Sequence, residues 1–294
     1  MVSAKISIEC VAANGTEFSY LQCGSGKLAL CLHGFPDTAQ TWRHLMPQLA
    51  ENGYRAIAPF TRGYAPSAIP QDDCYQTAML ARDANALHEI LGGSDDAVII
   101  GHDWGAPSAY GAAFDAPTRW QKVVGMAVPP GAAIGIALVQ NLAQLKRSWY
   151  MFFFQHGLAD YVVRANDYQF FDMLWREWSP GFDATDDLAF VKKSLTDPDH
   201  LHAALGYYRA NLGNGYRDPS LDALQTQMGS AVPSQPLLYL HGRNDGCIGI
   251  DVVESAKAMV PANVIIEIVD GAGHFLHLEQ SDFVNKRICK FLGS

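Results

Sequence analysis

The run Asp96-Ala97-Val98-Ile99-Ile100 leads straight into Gly101-His102-Asp103-Trp104-Gly105, and a stretch rich in small residues, Ala106 to Ala113, follows. The first segment has the length and apolar character of a buried strand, and the last suits a helix, so only a very tight corner separates them. Such a corner crowds its own backbone, and the positions flanking it favour glycine because a Cβ would clash. Asp103 therefore projects from the carboxyl end of a strand, the edge at which open α/β sheets bind ligands. A carboxylate in that place can attack a carbon atom and leave an aspartyl ester to be hydrolysed. It cannot form the ordinary acyl-enzyme that a hydroxyl would.

Working outward, the chain alternates strands and helices. Lys5 to Val11 and Thr16 to Leu21 read as a hairpin around Asn14-Gly15. Leu28 to Leu32 and Tyr54 to Pro59 read as buried strands, with Trp42, Leu45, Met46 and Leu49 marking one helix over Thr41 to Asn52 between them. Tyr75 to Leu91 reads as a helix and Val123 to Val128 as a strand. Later come strand Pro236 to Leu240, helix Asp251 to Met259, strand Asn263 to Val269 and helix Ser281 to Leu292. This alternation predicts a mostly parallel eight-stranded sheet covered on both faces by helices.

From Pro130 to about Ser220 no strand rhythm is present, and aromatic residues crowd in, among them Trp149, Tyr150, Phe152, Phe153, Phe154, Trp175, Tyr207 and Tyr208. The segment reads as a helical insertion, a cap at 131–220 over the sheet's carboxyl edge, with 1–130 and 221–294 as the core. Val123 to Leu145 carries no charge, but Pro129-Pro130-Gly131 interrupts it early, so a strand, a hinge and a helix are expected and not a membrane span.

Apolar residues at 49% against 17% charged suit one compact enzyme and exclude long disorder. A net charge of -9 with no basic cluster argues against nucleic acid. The six cysteines show no C-x-x-C pair and are expected to be free, mostly buried thiols. The opening residues lack a secretory apolar core, so a cytoplasmic protein is expected.

An aspartyl ester needs an activated water, and a histidine steadied by an acid supplies one. The strand ending at Leu240 runs into His241-Gly242-Arg243-Asn244-Asp245, and the strand ending at Val269 runs into Asp270-Gly271-Ala272-Gly273-His274. Asp245 and His274 thus lie past strand ends on the same edge as Asp103, in the order nucleophile, acid, histidine. The oxyanion formed on the ester needs preorganised donors. The backbone N–H groups of Trp104 and of Phe35, in His33-Gly34-Phe35-Pro36, are the candidates, with His33 holding that loop. His102 and His277 are expected to pack, and no histidine spacing suggests a metal.

These motifs, His33-Gly34-Phe35-Pro36, Gly101-His102-Asp103-Trp104-Gly105, Asp245 and Gly273-His274, resemble those of α/β-hydrolase-fold epoxide hydrolases, relatives of the haloalkane and fluoroacetate dehalogenases. The resemblance covers essentially the whole chain. It implies an enzyme opening epoxides to vicinal diols through an alkyl-aspartate ester, without cofactor or metal. It also implies two cap tyrosines on the epoxide oxygen, and Tyr150, in Tyr-x-x-x-Phe-Gln, and Tyr208, in Tyr-Arg-x-Asn, match the family's two patterns. A phenol stays protonated at pH 7 and can serve a leaving alkoxide. Phe35 and Trp104 join Tyr150 and Tyr208 as expected substrate contacts, and Tyr207 is expected to pack.

The implied partners are a small apolar epoxide and water, with no nucleic acid or membrane, and homo-oligomerisation stays open. A haloalkane dehalogenase is the alternative, with Trp104 as one halide-binding indole and Trp149 or Trp175 as a second. A non-catalytic ligand-binding protein of the same fold is another. Phe60, where the family commonly has Asp, and Ala65-Pro66 depart from the family's usual loop.

Overall fold

A computed structural model of the protein describes residues 5–293. Eight strands form one sheet among the described residues: β1 Ser7–Ala13, β2 Thr16–Gly24, β3 Lys27–Leu32, β4 Tyr54–Pro59, β5 Ala97–His102, β6 Trp120–Met126, β7 Leu237–Gly242 and β8 Val264–Val269. Their order is β1-β2-β4-β3-β5-β6-β7-β8. Only β2 runs against its neighbours, β1 and β4, and the remaining pairings are parallel. Asn14 and Gly15, both at positive φ, close the β1–β2 hairpin between Ala13 and Thr16, as the Asn-Gly pair predicts.

The continuous apolar strands are explained by what covers them. Leu28, Leu30 and Leu32 of β3 face one cluster, with Ala106, Ala109 and Ala112 of helix Gly105–Asp115 and Ala84 and Leu87 of helix Thr77–Ile90. Ala29 and Cys31 face the other, with Leu45 and Leu49 of helix Leu45–Glu51 and Ile288 of helix Ser281–Gly293. Alternate side chains each find an apolar partner, so both faces are dry.

Register then places the site. Leu32 pairs with Gly101, His102 with Met126, Met126 with Leu240, and Gly242 with Val269. The loops following β3, β5, β6, β7 and β8 therefore all leave from one edge of the sheet.

Between β6 and β7 the chain forms helices Ala133–Gln140, Leu142–Arg147, Trp149–Phe153, Ala159–Trp178, Thr185–Ser194 and Pro198–Leu212, with no strand. Asn141 ends the first and starts the second, its side chain accepting from the N–H groups of Ala143 and Gln144. Asp197 and Pro198 begin the last in the same manner, Asp197 accepting from the Asp199 N–H. The uncharged stretch is thus divided among β6, a Pro-Pro turn and two short helices. No helix of the described residues is long and apolar enough to cross a membrane.

Two local expectations differ. The expected single helix over Thr41 to Asn52 is a 3-10 turn at Ala39–His44 followed by the α-helix Leu45–Glu51. Pro47 lacks an N–H and would break an α-helix begun at Thr41, but it fits the first turn of one begun at Leu45. Strand β6 spans Trp120–Met126 and stops short of Val128, because Ala127 takes a positive φ that leaves the extended conformation.

Candidate active site

Asp103 sits at the corner after β5 with φ of 49°, a left-handed conformation that costs a non-glycine residue energy. The glycines around it are required by contact. A Cβ on Gly101 would lie 2.1 Å from the Gly105 carbonyl oxygen, and one on Gly105 would lie 2.0 Å from that of Leu32. A Cβ on Gly34 would fall 2.3 Å from Asp103 Oδ1 and 2.6 Å from the Trp104 amide nitrogen. The corner can close against β3 only with hydrogen at these three positions.

The three sequence-predicted polar residues meet below this corner. His274 Nε2 is 3.4 Å from Asp103 Oδ2, and His274 Nδ1 is 2.9 Å from Asp245 Oδ2. Asp245 Oδ1 accepts from the backbone N–H groups of Cys247, at 2.7 Å, and Ile248, at 2.9 Å. The Phe35 N–H donates to Asp103 Oδ1 at 2.7 Å. The Trp104 amide borders the same spot without bonding the carboxylate. All three side chains are buried.

Burial alone would neutralise these groups, and their mutual charge reverses its effect. Desolvation pulls the His274 imidazole down, but the Asp245 and Asp103 carboxylates hold it at about 10. Burial pushes Asp103 up, and the His274 hydrogen bond and charge bring it below its usual value. Asp245 is lowered in the same way, chiefly by His274 against burial. The resting trio is therefore two carboxylates around an imidazolium.

Above it lies a cavity of about 250 Å3. Its wall includes Asp103, Trp104, Ile134, Leu138, Tyr150, Met151, Tyr208, Leu212, Met228 and Cys247. Tyr150 comes from helix Trp149–Phe153 and Tyr208 from helix Pro198–Leu212, with ring centroids 5.6 Å apart. Burial raises both phenols well above their ordinary value, so both stay protonated. The buried Tyr208 hydroxyl has no hydrogen-bond partner, and the Tyr150 hydroxyl meets only Cys247 Sγ, at 3.3 Å. Tyr207, one residue from Tyr208 and about 100° around the helix, donates to the Arg62 carbonyl at 2.7 Å and faces the core.

The alpha/beta hydrolase fold family matches residues 29–281. The chain belongs to that family. This hydrolase is 29% identical to an epoxide hydrolase of Caballeronia sordidicola, over 96% of its own length and 92% of the relative's. It is also 29% identical to epoxide hydrolase 4 of Homo sapiens, over 95% and 76%. Among solved structures, epoxide hydrolase A of Mycobacterium thermoresistibile superposes with a TM-score of 0.81 at 25% identity, covering 99% of each chain.

Not every predicted contact of the hydrolase lies on the cavity. The Phe35 ring is fully buried against Phe154, Phe171 and Tyr208, and it supports the Tyr208 ring from behind where a substrate contact was expected. Its backbone N–H is the part offered to the site. Trp175 donates its indole N–H to the Pro36 carbonyl at 2.9 Å, and Trp149 is half-exposed, so neither indole reaches the cavity wall. His33 holds its loop as expected, its Nε2 accepting from the Thr61 N–H at 3.0 Å.

The sequence reading missed Cys247 on the cavity wall. It also missed a buried group behind the triad. His102 Nε2–H donates to the His274 carbonyl at 2.9 Å, and the His102 ring packs 4.4 Å from that of His277. Asp37 lies close by, and its Oδ2, His102 Nδ1 and His277 Nδ1 are all buried without partners. Burial lowers His102 to about 3 and His277 well below its usual value, and it raises Asp37 well above its own.

Proposed function

We propose that the protein is an epoxide hydrolase working through an alkyl-aspartate ester. The observation that carries this reading is the pair of protonated phenols, Tyr150 and Tyr208, sharing the Asp103 cavity without a strong acceptor of their own. Opening an oxirane creates an alkoxide that needs a proton donor, and a halide does not. The names borne by the relatives point the same way.

Asp103 attacks an oxirane carbon, the C–O bond breaks, and the oxygen takes a proton from Tyr150 or Tyr208. His274, already an imidazolium, returns a proton to the phenolate. Alkylation has removed the Asp103 charge that helped hold that proton, so the imidazole is now free to act as a base. It takes a proton from water, and the hydroxide adds to the Asp103 ester carbon. The Phe35 and Trp104 amides hold the resulting oxyanion. Collapse expels the diol oxygen, which takes its proton from His274. The Asp103 acid then gives its proton to His274, restoring the ion pair.

The cap is residues 131–220, and its Tyr150 and Tyr208 form the wall of the cavity opposite Asp103. A cavity of about 250 Å3 lies below the ~300 Å3 at which drug-sized sites begin, which suits a compact apolar epoxide. Cys10, Cys31, Cys74, Cys247 and Cys289 are free thiols, which suits a reducing compartment, and on that ground we assign the protein to the cytoplasm.

The dehalogenase alternative requires two N–H donors for the halide; Trp104 brings one indole to the cavity wall, and the amides of Asn211 and Gln225, also on the wall, donate instead to the Tyr75 and Tyr207 carbonyls and to Asn211 Oδ1. A panel of styrene-type epoxides and bromoalkanes separates the readings. Diol formation without bromide release is expected, and bromide release without diol would overturn the epoxide assignment.

A further inference from the structure

Cys247 takes no part in the steps above, yet it occupies a place no structural thiol needs. Its backbone N–H is tied to Asp245 Oδ1 at 2.7 Å, which fixes the residue beside the triad acid and turns its side chain to the cavity. One ligand atom each from Cys247, Asp103 and His274 lies within 4.8 Å of the others, and all three side chains are buried. His274 Nε2 points into this group, 3.4 Å from Asp103 Oδ2.

We propose that Asp103, Cys247 and His274 form a binding site for a soft divalent cation, Zn2+ or Cd2+, whose occupation shuts the enzyme off. One sulfur, one imidazole nitrogen and one carboxylate oxygen make a donor set that such ions favour, with a fourth position left towards the cavity for water. Tetrahedral bonds of ~2.0–2.3 Å bring ligand atoms roughly 3.3–3.8 Å apart. His274 Nε2 and Asp103 Oδ2 already lie 3.4 Å apart, so only the Cys247 side chain has to swing inward, leaving the Tyr150 hydroxyl.

Binding forms three metal–ligand bonds and sends the thiol proton to solvent, together with the Nε2 proton of His274 where it is present. The ion enters by the substrate's own route, since Asp103 and Cys247 both line the cavity. Once bound, it takes the nucleophile's oxygen and the base's nitrogen together. The inhibition rests on the proposed function, and the binding does not.

The test titrates CdCl2 into the intact protein, following the ultraviolet thiolate-to-cadmium charge-transfer band and epoxide turnover in parallel. The expected result is one strong equivalent that produces the band, turnover falling in step with it, and recovery of both after EDTA. Cys247→Ala should lose the band and bind Cd2+ about a hundredfold more weakly or worse, since losing even an indirect partner of a ligand costs ~10–100-fold. Each variant's inhibition is scored against its own metal-free rate, and Cys247→Ser keeps the volume should the alanine variant fold poorly. Cys10→Ser, at an exposed thiol, should leave the band intact. An unchanged band and unchanged inhibition in both Cys247 variants would overturn the site. So would binding without a thiolate band, as at the Asp37, His102 and His277 group. A Cys247-dependent band in a protein that turns over no epoxide would uphold the site and sink the functional reading instead.

Discussion

The two walls of the cavity are built on opposite plans. On the sheet side each charged group is tied. Asp245 is held by two backbone amides, His274 by Asp245, and Asp103 by Phe35 and the elbow itself. On the cap side the hydroxyls are loose, with Tyr208 unpartnered and Tyr150 resting on a thiol, a weak acceptor. The difference follows from what each wall handles. Buried charges are stable only when paired, so the ionised groups must be assembled in advance. A neutral phenol waiting for an oxygen gains by having no competing acceptor, because substrate then completes its bonding. The sheet side is preorganised for charge, and the cap side is left unfinished for the leaving oxygen.

The largest effect should come from the tied wall. Asp103→Ala should lower diol formation by about 10,000-fold or more, since the covalent route is lost entirely. The protein should remain folded, because alanine at this φ adds only ~1–2 kcal/mol of backbone strain. Circular dichroism with a turnover assay checks both, and a tenth of normal activity would break the division of labour drawn here.

The loose wall should show smaller, additive-looking losses confined to the first step. Tyr150→Phe and Tyr208→Phe should each slow alkylation by roughly ten- to a thousandfold, and the double variant should nearly eliminate it. Stopped-flow measurement should find ester hydrolysis far less affected. Loss confined to the second step would place the phenols on the wrong oxygen.

Charge on the tied wall also predicts how stability varies with pH. His274 is raised to about 10 against burial by Asp245 and Asp103. Its contribution is therefore fully present below the unfolded value near ~6.5 and is lost as pH rises through about 10. Asp103 and Asp245 are lowered, so theirs is present above ~3.9 and lost as pH falls through their folded values. Melting temperature should accordingly decline from pH 7 to 10. In Asp103→Ala, with one carboxylate gone, that decline should begin at lower pH, and an unshifted alkaline limb would contradict the ion pair.

The smallest effect belongs to Tyr207, the packed neighbour of Tyr208. Tyr207→Phe removes its hydrogen bond to the Arg62 carbonyl and should cost about 1 kcal/mol in urea unfolding with turnover unchanged. A large loss of activity would blur the line between the cavity and the core.

What could be read from sequence follows the same division. The sheet edge is set by backbone contacts that admit only particular residues. Gly101, Gly105 and Gly34 leave a pattern because a Cβ at any of them would strike backbone or Asp103 itself. Asp245 and His274 were legible because each follows a strand of ordinary apolar length. The cap offers no such constraint. Its aromatic residues are interchangeable by hydrophobicity, and Tyr208 was told from Tyr207 only by a family resemblance.

Cys247 was illegible because its contact with Tyr150 spans 97 residues, and a single thiol in an apolar run reads as packing. The break in helix Ala159–Trp178, where Asn166, Asp167 and Tyr168 take left-handed conformations, also left no local signal. Tyr168 is held there by tertiary contacts, its hydroxyl donating to the Leu195 carbonyl at 2.7 Å.

The covalent ester is tested most directly by stranding it. His274→Gln keeps Asp103 and both phenols but removes the base that activates water. After a styrene-type epoxide is added, intact-protein mass spectrometry should show one added substrate mass, and peptide mapping should locate it on Asp103. A variant that binds the epoxide yet carries no adduct, or that forms diol at the normal rate, would contradict attack by Asp103 followed by His274-driven hydrolysis.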